Sequence, residues 1–164
     1  MELDYRFFPD ESKVWVYTSN KPFDEDDINY LNVRLDEFID SWESHGKLLK
    51  ATYTIEYNHF IILFVDEEGD RMCGRAQDAQ VKLMKEIEQE LEIELLNRLN
   101  LPYKVGDKVE VVDMNIFTQK LQKGEINENT IVFNNMITRK LEFDNNWEVP
   151  LKDSWHKQLM ETVS

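Results

Sequence analysis

Cysteine is almost absent from the 164-residue chain, which carries only Cys73. An internal disulfide and a Cys-rich zinc site are thereby excluded, and this usage points to a reducing compartment. Long apolar runs are missing as well. The longest, Phe60 to Val65, falls far below the ~20 residues that span a bilayer. The opening Met1-Glu2-Leu3-Asp4-Tyr5 has carboxylates where a signal peptide needs a basic and then an apolar stretch. A soluble, cytoplasmic protein is expected. Positive charge is scarce: 19 Lys and Arg stand against 33 Asp and Glu, a formal net charge of −14. That balance repels phosphate backbones and anionic headgroups, and no basic cluster overrides it, so neither nucleic acid nor membrane is an expected partner. No Pro/Gly/Ser-rich linker and no fixed-period repeat interrupts the chain, which argues for one compact domain.

What is present is enough to fold. Hydrophobic residues make up 41% of the chain and aromatics 12%, with four Trp and nine Phe, too apolar for disorder despite the charge. Val14 to Tyr17 is β-branched and aromatic and reads as a first strand. Asp24 to Asp27 supplies the carboxylates favoured at a helix start, and Ile28, Leu31, Leu35, Phe38 and Trp42 follow as one apolar stripe that Gly46 closes. Ala51, Tyr53, Ile55 and Tyr57 then alternate with polar residues, and Phe60 to Val65 is apolar throughout. The two make a hairpin across Asn58-His59. A second helix is expected from Ala76 to about Leu99, stopped by Pro102, and Val109 to Val112 gives a fourth strand. Strand-helix-strand-strand-helix-strand is the split βαβ order of ferredoxin-like α+β folds. Residues 1–114 are thus read as a ferredoxin-like core and 115–164 as a C-terminal helix and hairpin extension packed on it. In the extension, Thr130 to Phe133 and Ile137 to Phe143 are expected to pair across Asn134-Asn135, with a short helix after Asp153-Ser154.

Gly69-Asp70-Arg71-Met72-Cys73-Gly74-Arg75-Ala76 has the glycine spacing of a phosphate-binding loop. However, Arg75 stands where the loop's Lys belongs, Ala76 replaces the Mg²⁺-binding Ser or Thr, and the carboxylates from Asp66 to Asp70 would repel a triphosphate. That acidic turn also lacks the alternate-position ligands of an EF-hand, and His45, His59 and His156 show no H-x-x-x-H pairing. No metal or cofactor is expected. Cys73, beside Arg71 and Arg75 at the start of a helix, is placed for a lowered thiol pKa. With His45 or His156 as base it gives the candidate catalytic set. Glu56, Tyr57, Asp66, Asp78, Trp147 and Trp155 are the candidate ligand-binding residues.

Several stretches together resemble one known family: His45-Gly46 with Leu48 to Ala51, Glu56 to Phe60, Val65-Asp66-Glu67, Gly124-Glu125 with Thr130 to Asn135, and Trp147 to Pro150 with Asp153 to His156. The family comprises small bacterial proteins often labelled ABC transporter ATPase. Its members carry Gly-Cys-Ser-Ile-Asp before the second helix. Here Met72-Cys73-Gly74-Arg75-Ala76, with Asp78 beyond, matches the Cys and not the Ser. The label does not fit the chain, which has neither an intact Walker A motif nor a Leu-Ser-Gly-Gly-Gln signature, so ATP hydrolysis is not expected.

The sequence therefore points first to a binding or interaction module whose partner is a protein with a basic surface or a small molecule held between sheet and extension. Behind it stand an enzyme with a fold-assembled Cys/His/carboxylate pocket and an acidic mimic of nucleic acid. Monomer and homodimer both remain open. Steric reasoning places a cleft where the extension meets the sheet, bordered by Trp147, Trp155 or His156 on one side and Glu56 or Tyr57 on the other.

Overall fold

The computed structural model describes residues 3–163. Strand β1 (Lys13–Thr18) leads to helix α1 (Glu25–Ser41). The Asp24 carboxylate caps α1 by accepting the N–H of Asp27 at 2.8 Å, and Asp27 accepts the N–H of Asp24 at 3.0 Å. The helix stops at Ser41, earlier than the expected Gly46. Trp42 turns extended there, and its buried indole Nε1–H donates to the carbonyl of Ala76 at 2.8 Å. His45 and Gly46, with φ of 55° and 77°, instead form the tight turn between the two-residue strands β2 (Glu43–Ser44) and β3 (Lys47–Leu48).

Strands β4 (Lys50–Glu56) and β5 (Phe60–Asp66) form the expected antiparallel hairpin. The left-handed turn positions fall at Tyr57 and Asn58, one residue before the expected pair. His59 is therefore carried inside, where Nδ1–H donates to the carbonyl of Ser19 at 3.0 Å. The strand order is β1-β5-β4, all antiparallel. Central β5 is covered on both faces, which is why Phe60 to Val65 is apolar throughout.

Helix α2 (Gly74–Leu91) ends well before Leu99. Glu92 adopts φ 54°, and the Glu88 carboxylate accepts the N–H groups of Leu95 and Leu96, so the apolar spacing continues into a loop after the helix has stopped. Strand β6 (Asn100–Val105), unforeseen because it contains Pro102, pairs with β7 (Lys108–Asp113). On its other side β6 meets the next strand only at Tyr103–Val132, so a residue without an N–H is accommodated there. Helix α3 (Met114–Gln122), capped by Asp113, leads to β8 (Ile131–Phe133). The expected strand over Ile137–Phe143 is replaced by α4 (Lys140–Asn146), because the Glu142 carboxylate turns back to accept the N–H groups of Thr138 and Arg139 at 3.1 Å each. β8 pairs instead with β9 (Glu148–Pro150), and α5 (Lys157–Val163) ends the fold.

The architecture is α+β with antiparallel sheets. The first sheet has the three strands β1-β5-β4, whereas the strand expected as its fourth, Val109 to Val112 within β7, joins the second sheet, β7-β6-β8-β9. Residues 100–113, assigned from sequence to the first unit, thus share a sheet with residues from the extension. One face of the first sheet buries Tyr53, Ile61 and Leu63 against α1 and α2. The opposite face buries Phe60, Ile62 and Phe64 under Phe133, Ile137, Phe143 and Trp147. β1 is left as an edge: at its start Lys13 bridges to Arg139 and the N–H of Val14 donates to Thr138 at 3.1 Å, and at its end Thr18 Oγ1 accepts from Asn135 at 2.9 Å.

Candidate functional site

That edge forms the floor of a cleft of about 560 Å³. All of β1 lines it, together with Gln77 of α2, Leu95 to Arg98 of the loop after α2, Asn100 to Pro102 of β6, the stretch from Asn135 to Arg139, and Trp155-His156. The cleft follows from the topology: the strand that would have covered β1 belongs to the other sheet, and the loop after α2 and the chain after β8 pass on either side of the gap.

His156 is wholly buried. Its ring stacks on Trp155 at 4.0 Å, and its Nδ1 lies 2.8 Å from the Ser154 hydroxyl. Nε2 is buried without a hydrogen-bond partner. Burial alone pushes the imidazole down to about 4, so the ring is neutral at pH 7. A neutral imidazole has one N–H and one lone pair, so Nε2 offers a donor or an acceptor according to which of the two Nδ1 uses toward Ser154. On the α2 side, Gln80 Nε2 donates to the Tyr17 hydroxyl at 2.5 Å. The phenol keeps its own proton to give. Trp15 and Trp155 supply aromatic surface in the same wall.

Cys73 lies elsewhere, at the N-cap of α2. Its N–H donates to Ser44 Oγ at 2.9 Å. The Ser44 hydroxyl, first, and then the backbone N–H groups of His45, Ala76 and Arg75 face the thiol and lower its pKa to about 6. The exposed His45 ring donates from Nε2 to the carbonyl of Arg71 at 2.8 Å. The fold thus brings Cys73 next to His45, while His156 is in the cleft wall, of which Cys73 is not a part. The glycine-spaced loop before α2 follows a strand of an antiparallel sheet, unlike a phosphate-binding loop.

The remaining candidates are scattered. Glu56 accepts from Thr54 Oγ1 at 2.8 Å and lines a separate shallow groove with Tyr5 and Arg6. Tyr57 donates to Glu148 at 2.6 Å beneath Lys104, whose Nζ is 5.1 Å from the ring centre. Trp147 is core, its Nε1–H donating to Asn135 at 2.9 Å. Asp66 pairs with Lys50 at 3.6 Å, and Asp78 is exposed on α2. The far border of the cleft is therefore β1 and not Glu56 or Tyr57, because the β4–β5 turn is closed over by Phe133 and Trp147. Trp15, Tyr17, Arg98 and Arg139 escaped the sequence reading. The aromatic alternation of β1 was a usable signal for the first two, but nothing local marked the arginines.

Among the described residues no group of three or more His, Cys, Asp and Glu is placed to hold a metal ion, and no helix is long and apolar enough to cross a membrane. No known family model, curated protein or solved structure matches the chain.

Proposed function

We propose that the protein is a binding module that receives a small molecule in the cleft along β1. The observation that carries this reading is the buried, unpartnered Nε2 of His156 in the wall of a cleft large enough for a ligand. Buried polar groups in folded proteins are nearly always paired, and ligand sites combine apolar, aromatic walls with a few such convergent groups. N-phenyl-1-naphthylamine, a neutral, flat, fluorescent probe, tests it directly. Saturable binding at one probe per chain, with energy transfer from tryptophan, is expected, and Leu96→Trp, which adds an indole to the cleft wall, should weaken it at least tenfold. Binding that ignores Leu96→Trp in a variant with unchanged circular dichroism would remove the cleft as the site.

A second reading, enzymatic chemistry at Cys73, is favoured by the low thiol pKa and by the Ser44 hydroxyl and backbone N–H groups around the sulfur. In that reading Cys73 is the nucleophile and Ser44 its positioning residue. Unlike the cleft reading, it predicts that thiol alkylation blocks function.

A further inference from the structure

The chemistry of the cleft wall narrows what it would receive, an inference that rests on reading the cleft as a ligand site. In a chain with 33 Asp and Glu among 164 residues, not one carboxylate side chain lines this cleft, while Lys13, Arg98 and Arg139 do. Two of these cations have protein partners: Lys13 stands 3.6 Å from Glu67, and Arg139 donates to the carbonyl of Glu11 at 3.1 Å. Arg98 has no ion-pair or hydrogen-bond partner among the described residues. It shares the cleft lining with Tyr17, whose phenol pKa is raised by burial, with the Gln80 hydrogen bond and the charge of Arg98 opposing that rise, so a guanidinium and a protonated phenol line one wall. His156 adds a buried, unpartnered Nε2 to the same lining. The wall is thus rich in donors and lacks anionic acceptors, in a molecule whose average surface is the reverse. The placement of aromatic rings is equally one-sided, with Trp15 on β1 and Trp155 in the C-terminal segment both in the wall.

We infer that the ligand is an organic anion: a flat apolar body held against the tryptophans, with one carboxylate, sulfonate or phosphate head at Arg98 and Tyr17. An anion pairs with the free guanidinium of Arg98, whereas a cation would meet Arg98 and Arg139 with no carboxylate in the lining to offset them. Neutral ligands of the same shape would leave Arg98 unpaired and gain only the apolar contact.

A matched pair of probes separates this inference from the reading beneath it. 8-Anilinonaphthalene-1-sulfonate has the same ring body as N-phenyl-1-naphthylamine plus one sulfonate. The anion should bind at least tenfold tighter than the neutral probe at one site per chain. Arg98→Gln should reduce it to the affinity of the neutral probe, Arg98→Lys should restore part of the difference, and Leu96→Trp should weaken both. If the two probes bind equally and both respond to Leu96→Trp, the cleft is a site and the anion assignment is overturned. If neither responds to Leu96→Trp, the site itself is overturned. Because Arg98 is exposed, its substitution tests recognition without disturbing the core, and unchanged thermal unfolding of Arg98→Gln verifies that.

Discussion

The Cys73 thiol and the His156 imidazole are both moved to lower pKa, for opposite physical reasons. At Cys73 the ionised form is favoured, since a hydroxyl and backbone N–H groups point at the sulfur. The alkylation rate by iodoacetamide should therefore rise through a midpoint near pH 6, and Ser44→Ala should move that midpoint upward; a wild-type midpoint above 8 would refute the geometry. At His156 the ionised form is disfavoured by burial. Between its folded value of about 4 and the ordinary 6.5 the unfolded chain binds a proton that the folded chain does not, so stability is lost as pH falls through that window. The loss amounts to about 3 kcal/mol in all, taking roughly 1.4 kcal/mol per pKa unit. Other groups titrate there too, so the measurement is a difference: urea denaturation of wild type and His156→Gln from pH 7 to 4, with the two curves converging as the pH drops. Parallel curves would mean that His156 is not buried neutral.

At the scale of elements, the junction between the sheets depends on Trp147. Its ring packs at 4.8–5.0 Å from Phe60, Phe133 and Phe143, and its Nε1–H holds Asn135, which in turn donates to Thr18 Oγ1 at the end of β1. Trp147→Ala should cost about 3–5 kcal/mol, the range for emptying a core aromatic site. Trp147→Phe should cost less, of order 1 kcal/mol for the lost hydrogen bond. Since Asn135 lines the cleft, the Phe variant should also weaken probe binding while remaining folded. Urea unfolding and probe titration on the same samples check both, and a Phe variant as unstable as the Ala variant would contradict this division of roles. The chain segments that flank the cleft were the ones least readable from sequence. The loop from Ile93 to Leu99 carries helical apolar spacing because Leu95 is buried, yet Glu92 and Glu88 end the helix first. Ile137 to Phe143 carries strand-like residues, and the Glu142 carboxylate coils it into a helix.

For the whole molecule, a charge of −14 on 164 residues means net self-repulsion. Some carboxylates have a cation beside them, with Lys13 against Glu67, Lys50 against Asp66 and Arg34 against Glu86. These pairs are at or near the surface and each contributes little. Raising salt from about 10 mM to about 300 mM shortens the screening length from roughly 30 Å to under 10 Å. Repulsion should weaken more than the pairs do, and the thermal midpoint at pH 7 should rise. Calorimetry across that series checks it, and a falling midpoint would mean that the ion pairs outweigh the net charge. The same excess of carboxylate gives the acid-free cleft its contrast with the rest of the surface.

Residue order by itself determined what depends on neighbours along the chain. The Asp24–Asp27 cap, the alternation of β4, the apolar run of β5 and the single thiol at the start of α2 follow from spacing of a few residues, and so does the α+β class. The tertiary structure alone decided how the pieces pair. Val109 to Val112 pairs with β6 across the two residues Gly106-Asp107 and not with β1, nearly a hundred residues earlier, and that pairing left open the edge that became the cleft. The residues that meet there, Tyr17, Arg98 and His156, come from three parts of the chain with no local signal in common. Burial left His156 Nε2 without a partner, and packing kept carboxylates out of the wall; both are properties of position in space, which no spacing along the sequence records.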